Sequence, residues 1–236
     1  MISLENLQAN FEKVEATQYE YYCQVNLKIY DFPSCQALGT QAAVGRHLQF
    51  TSKTPVNDFL EVRLCEDGYS GWLQVQYLAE LEYAATKYQP VTLSTTQIQE
   101  RLPAVIAFTK AAMEQPNHYL WGGTVAPNYD CSGLVQAAFT ASGIWLPRNA
   151  DGQDAFTKTI EIESALPGDL IFFATNQDVN HVGLYLGDGY YIHSSGIDNG
   201  RNGIAIDRLS DEEDEVALSY YRILKGAGRV EKSYQP

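Results

Sequence analysis

The sequence predicts two domains in series, a small all-β barrel followed by an α+β domain built on an antiparallel sheet. Three observations carry this. At 236 residues the chain has room for two domains of ordinary size. Residues 20–80 hold short β-rich runs separated by turn formers, the spacing of a small barrel. Beyond residue 96 helical spacing comes first and strand runs follow, the order of an α+β domain. A hydrophobic content of 45% supplies both cores, and a charged content of 19% argues against wholesale disorder.

In the first domain, expected over residues 1–85, the β-rich runs are Tyr21–Tyr30, His47–Phe50, Phe59–Cys65 and Gly71–Val75. Turns are expected at Asp31–Pro33, Gly45, Thr54-Pro55 and Asp67-Gly68. Residues 86–97 read as a linker, because the apolar pattern fades into Ser, Thr, Gln and Pro90. The second domain, residues 98–236, opens with a helix carrying Ile98, Leu102, Val105, Ile106 and Met113 at helical spacing. Thr96 is placed to cap it, and Pro103 suggests a start nearby, where proline is tolerated. A second helix is expected from Cys131 to Ser142, with Leu134, Val135, Ala138 and Phe139 as its apolar stripe and Gly143 as its terminator. Strands follow at Asp169–Phe173, His181–Leu186 and Tyr190–His193, the last two flanking a hairpin turn at Gly187-Asp188-Gly189. The acidic run Asp211–Glu215 reads as a solvated loop and Arg222–Leu224 as the last strand.

The formal net charge is −13 and no basic run occurs, so neither nucleic acid nor an anionic membrane is an expected partner. No apolar run reaches the ~18–20 residues of a membrane span. Residues 1–20 carry acidic side chains where a secretory signal needs a basic and then an apolar region, so a cytoplasmic location is expected. Cys23, Cys35, Cys65 and Cys131 fit no metal spacing and no disulfide framework; all four are expected to be reduced and three of them to be buried packing residues. No cofactor is expected, and the oligomeric state is left open.

Cys131 begins the second helix, with Asn128 or Asp130 as its cap. A helix N-terminus carries roughly +0.5 charge and free N–H groups, which favour thiolate over thiol and can face a developing oxyanion. His181 and His193 lie across the expected hairpin. A three-residue loop sets residue 181 opposite 195, with 193 its same-face diagonal neighbour, roughly 5–8 Å away. One histidine can then act as base while the other orients it.

Six segments occur in order: Tyr119-Leu120-Trp121-Gly122-Gly123, Asp130-Cys131-Ser132-Gly133-Leu134-Val135, Leu146-Pro147-Arg148, Pro167-Gly168-Asp169-Leu170-Ile171-Phe172-Phe173, His181-Val182-Gly183-Leu184-Tyr185 and Tyr191-Ile192-His193. In combination they resemble the papain-like NlpC family of peptidoglycan peptidases over about residues 100–225. Asn26–Tyr30 and Glu66–Leu73 resemble a bacterial SH3-like domain. With that architecture the chain resembles γ-D-glutamyl-L-diamino-acid endopeptidases that process murein peptides. The resemblance implies Cys131 as nucleophile, His181 as general base, His193 as orienting residue and Tyr119 as a hydroxyl aimed at the oxyanion. It implies that Asp130 and Tyr69 bind the free N-terminus of the substrate's L-alanine. Trp121 is expected as a wall of the site, with Ser132 and Arg148 as further substrate contacts. Peptidoglycan-derived peptides are the expected partners and recycling of wall fragments the expected role. Relatives often carry Asp-Ser after the arginine; this chain has Asn149-Ala150, with Asp151 one position later.

Other readings use the same residues. Cys131, His181 and His193 are zinc-competent and would suffice for a catalytic zinc, but no HExxH-like helix accompanies them, and no metal is expected. A non-catalytic wall-binding protein would not need the cysteine and both histidines. Amidases and acyltransferases share the papain-like core. Tyr69 and Trp72 have ordinary packing readings, His47 a structural one and His118 a loop one, and Asp130 can cap the helix as well as bind substrate.

Overall fold

A computed structural model describes residues 2–13, 19–212 and 214–236. The chain divides into two compact units, residues 1–90 with 235–236, and residues 91–234.

The first unit begins with helix α1 (Leu4–Lys13). Beside its acidic residues, Leu4, Leu7 and Phe11 recur at helical spacing and, with Ile2, pack onto the core of the sheet. Seven strands follow: β1 (Tyr21–Cys23), β2 (Leu27–Tyr30), β3 (Leu38–Ala42), β4 (His47–Phe50), β5 (Phe59–Leu64), β6 (Ser70–Gln74) and β7 (Leu81–Tyr83). They form one antiparallel sheet in the order β3-β2-β6-β5-β4-β1-β7. Alternate side chains bury Tyr21, Leu27, Ile29, Leu48, Phe50, Leu60, Val62, Leu64 and Leu73 in a single core. The expected Tyr21–Tyr30 run is broken at residues 24–26, and β3 and β7 were not expected; Leu-Gly-Thr-Gln-Ala has few strand formers. The turn before β5 sits on Asn57-Asp58 rather than Thr54-Pro55, because two successive positive φ values (49° and 63°) suit Asn and Asp. All four cysteines are free; Cys23 and Cys131 are buried, Cys65 is half-buried, and Cys35 is exposed rather than packed.

In the second unit α2 (Thr95–Met113) starts inside the expected linker. Its cap is Ser94, not Thr96: Ser94 Oγ accepts from Gln97 N at 3.3 Å and Gln97 Oε1 accepts from Ser94 N at 2.9 Å. Pro103 lies within the helix, not at its start. It is exposed, as is Gln99, so the carbonyl left without a helical donor stays solvated. A two-residue hairpin, β8 (Thr124–Val125) and β9 (Asn128–Tyr129), leads into α3 (Cys131–Ala141), which ends before Gly143 at φ +71°. Then come α4 (Ala150–Phe156), β10 (Lys158–Ile160), β11 (Leu170–Thr175), β12 (Asp178–Gly187), β13 (Tyr190–Ser195), β14 (Gly203–Arg208), α5 (Glu215–Tyr221) and β15 (Leu224–Arg229). The six strands are antiparallel in the order β10-β15-β11-β12-β13-β14. One face of the sheet, through Leu170, Phe172, Val182, Leu184 and Ile192, packs with Val135, Ala138 and Phe139 of α3 and Ile98 and Val105 of α2. The other, through Ile171, Phe173 and Tyr191, packs with Tyr220 of α5.

The last strand is Leu224–Arg229 rather than Arg222–Leu224, because Arg222 caps α5. Nor is the whole acidic run a loop. Asp214 caps α5, accepting from Val216 N and Ala217 N at 3.0 Å each, and Glu215 is its first residue; Glu213 lies outside the described residues. Among the described residues no helix is long and apolar enough to cross a membrane.

Candidate active site

The site is organised around the N-terminus of α3. Asp130 is its cap, and Asp130 Oδ1 accepts from Gly133 N at 2.7 Å and Ser132 Oγ at 3.2 Å. Oδ2 accepts from Gly122 N at 2.8 Å, where Gly122 holds φ +77°. Arg148 completes the shell, donating through Nη2 to Oδ2 at 2.5 Å and through Nη1 to Oδ1 at 3.1 Å and to Ser132 Oγ at 3.0 Å. The carboxylate thus takes more donors than its roughly four lone-pair sites hold individually, and all of them come from this chain. Ser132 and Arg148, expected as substrate contacts, are buried and both hydrogen-bond Asp130. The glycines have separate causes: Gly122 holds a positive φ, a Cβ at Gly123 would collide with the carbonyl oxygens of Asn128 and Leu120, and a Cβ at Gly133 would collide with that of Gly123, so the loop before the helix approaches its first turn only if residue 133 is glycine. Gln153 of α4 fixes the far side, donating to Ser132 O at 3.1 Å and Pro147 O at 3.0 Å.

Cys131 is the first residue of α3 and is buried. Burial, and then the Asp130 carboxylate, push its thiol up to about 12, although N–H groups of Val182 and Ser132 and the Arg148 guanidinium act the other way. The expected preference for thiolate is therefore reversed in the resting protein: burial outweighs the helix terminus. The Val182 N–H places the sulfur beside the residue that follows His181 in β12. Tyr119 lies at the same point; burial, then Cys131 and Asp130, hold its phenol well above the ordinary value, so it stays a hydrogen-bond donor.

The two histidines come together across β12 and β13. The loop is only Asp188-Gly189, with Gly187 paired to Tyr190, and a bulge between Tyr185 and Gly187 absorbs the extra residue. Leu184 still pairs with Ile192, the register that makes His181 and His193 diagonal neighbours. His181 Nε2 lies 2.7 Å from His193 Nδ1. Burial, then His193, holds His181 well below its ordinary value; burial also lowers His193 against the opposing pull of Asp207. The facing nitrogens bond each other rather than converge on a third point, and among the described residues no group of three or more His, Cys, Asp and Glu is arranged to hold a metal.

Beyond the histidines lie residues that the sequence analysis missed. His193 Nε2 is 2.9 Å from Asp207 Oδ2. Arg201 donates from Nη2 to Asp207 Oδ1 at 2.5 Å and to Asp214 at the start of α5. Tyr220 of α5 stacks on the His181 ring, centroids 4.5 Å apart, and its hydroxyl meets Ser195 Oγ at 2.8 Å. The signal for Asp207 was the alternation in Gly203-Ile204-Ala205-Ile206-Asp207, which marks a further strand; no sequence signal points to Tyr220. Of the remaining expected residues, Trp121 is 69% exposed, on the surface beside Gly122. Tyr69 lies in the first unit, where its hydroxyl donates to Asp31 Oδ1 at 2.6 Å. His118 lies in a loop and His47 pairs with Glu20 inside the first unit.

Residues 116–215 match the NlpC/P60 family, and residues 29–78 match the bacterial dipeptidyl-peptidase SH3 domain. The chain is 37% identical over 112 residues to the probable endopeptidase p60 of Listeria innocua serovar 6a, covering 48% of this chain and 22% of that protein. It is 40% identical over 79 residues to a γ-D-glutamyl-L-lysine dipeptidyl-peptidase of Bacillus subtilis strain 168, covering 32% of this chain and 27% of that one. The chain thus spans about a quarter of the length of these relatives. A solved structure of an NlpC/P60 family protein from Bacillus cereus overlays with a TM-score of 0.48 at 24% identity, over 93% of this chain and 66% of that one.

Proposed function

We propose that this chain, an NlpC/P60 domain behind a bacterial dipeptidyl-peptidase SH3 domain, is a cysteine peptidase that hydrolyses the γ-D-glutamyl-L-diamino-acid bond of murein peptides. The observation that carries the proposal is a cysteine at a buried helix N-terminus, beside a strand whose histidine is hydrogen-bonded to a second histidine at 2.7 Å.

In this reading Cys131 Sγ attacks the γ-glutamyl carbonyl carbon while its proton passes to Nδ1 of His181, the ring nitrogen that His193 leaves free. The oxyanion is received by the Cys131 N–H and the Tyr119 hydroxyl. The C–N bond breaks as His181 returns the proton to the departing α-amine of the diamino acid, leaving a thioester on Cys131. Water, deprotonated by His181, then attacks the thioester carbonyl, and the sulfur leaves as thiol with that proton. Because the resting thiol is neutral, proton transfer and attack belong to one step. Tyr220 keeps the His181 ring in plane.

The substrate is proposed to carry a free L-alanine N-terminus. Of the two residues the resemblance implies for that N-terminus, Asp130 is already paired with Arg148, and Tyr69 with Asp31 inside the first unit. Peptides still attached to glycan are acylated at that L-alanine, so the requirement fits recycling of released fragments in the cytoplasm. The test compares kcat/KM for L-Ala-γ-D-Glu-diamino-acid tripeptide and its N-acetyl derivative. A preference of about tenfold or more for the free amine is expected, since an ammonium removed from water needs its own partners. Values within a few-fold of each other would reject the free-amine requirement and, with it, recycling.

A further inference from the structure

His193 does not end the chain of hydrogen bonds. We propose that Asp207 is a positioning residue for the base, fixing the proton arrangement of both histidines and stabilising the cation that forms on them, and that Arg201 sets how much of the carboxylate's charge they feel. The proposal rests on the reading of His181 as general base.

The geometry leaves one neutral arrangement. Ionised Asp207 only accepts hydrogen bonds, so His193 Nε2, 2.9 Å from Oδ2, must carry a proton. A neutral His193 then has a bare Nδ1, which accepts from His181 Nε2 at 2.7 Å. A neutral His181 that donates through Nε2 has a bare Nδ1, the form able to take the thiol proton. A carboxylate two residues removed from the nucleophile thus determines which nitrogen is basic. β13 and β14 supply the register: Tyr191 pairs with Asp207 and His193 with Ala205, so His193 and Asp207 are same-face diagonal neighbours.

The second element is the charge. Taking the thiol proton creates a cation inside a buried pair, and the 2.9 Å contact brings a carboxylate to it. That carboxylate is also gripped by Arg201, which is 24% exposed at its side chain and held in turn by Asp214. Burial keeps the histidines neutral at rest, and Arg201 adds to this by offsetting Asp207. The titratable groups packed against the pair are Tyr191 from β13, Tyr220 from α5, and Asp207 with Arg201 from β14 and the segment before it, while Cys131 of α3 meets the N–H of Val182, the neighbour of His181; of these, only Asp207 and Arg201 are charged at neutral pH.

Two substitutions therefore act in opposite directions. Asp207→Asn keeps the shape and removes the negative charge: kcat should fall by about 10- to 100-fold with KM little changed, and the acid limb of kcat/KM should move to lower pH. Arg201→Gln leaves Asp207 uncompensated, so the acid limb should move to higher pH. A readout independent of substrate is the ¹⁵N spectrum of histidine-labelled protein, which holds only four histidines. It should show His181 and His193 both protonated at Nε2 at pH 7, and their titration displaced downwards in Asp207→Asn and upwards in Arg201→Gln. Limbs that stay put or move together, or a wild-type spectrum with His193 protonated at Nδ1, would overturn the proposal. Should Asp207→Asn fail to fold, the Arg201→Gln shift and the wild-type spectrum still decide it. Loss of murein peptidase activity with the tautomers and titrations as stated would instead count against the functional reading alone.

Discussion

Cys131→Ala is expected to reduce kcat by about 10⁴-fold or more, to background, while the protein stays folded. The sulfur is the only group at the head of α3 that can form the thioester. Its backbone N–H, the Tyr119 hydroxyl and the histidine pair have no other nucleophile to serve. Losing one small buried atom at a helix start costs about 1 kcal/mol, a shift of a few degrees in melting temperature. His181→Ala should match Cys131→Ala in turnover, and the double variant should be no slower than either, because the two act as one unit. Turnover measured beside thermal melts checks this. A folded Cys131→Ala protein with kcat within tenfold of wild type would remove the nucleophile from the account.

The second large effect is on stability. Arg148→Met is expected to destabilise the second unit by about 3–5 kcal/mol, because it leaves the Asp130 carboxylate buried and unpaired. Asp130 ties Gly122, Gly133, Ser132 and Arg148 to one point, so the loss should also loosen the loop that carries Tyr119 and the first turn of α3. Combining Arg148→Met with Asp130→Asn removes the stranded charge and should recover part of the loss. Urea unfolding of the single and double variants separates the cases. A single variant within about 1 kcal/mol of wild type would show that the ion pair does not organise the site.

The Asp130–Arg148 pair also marks the limit of what is legible in the sequence. The helix start at Cys131 and the meeting of His181 with His193 are legible because glycines, a cap and a hairpin turn fix their surroundings, and those signals are local. Even the miscounted loop did no harm, since the bulge beside Gly187 preserved the register. What the sequence did not reveal depends on partners distant along the chain. Arg148 follows a recognisable Leu-Pro and read as a substrate contact, but folding turns its guanidinium onto Asp130. Asp207 read as nothing because β14 was not identified, and an aspartate matters here only through the strand beside it. The thiol's protonation was misread because a helix terminus is visible in sequence while its burial is not. Helix α1 is hard to see in the sequence because its apolar side is only Leu4, Leu7 and Phe11 among acidic and polar residues.

The most direct test of the central claim is the identity of the bond cut. Wild-type protein incubated with L-Ala-γ-D-Glu-L-diamino-acid tripeptide, with the products identified by mass, is expected to release the free diamino acid and the dipeptide L-Ala-D-Glu, with no release by Cys131→Ala. Release of L-alanine, release of ammonia from an amidated substrate, or equal release by the Cys131→Ala protein would contradict the assignment of a cysteine peptidase acting at the γ-D-glutamyl bond.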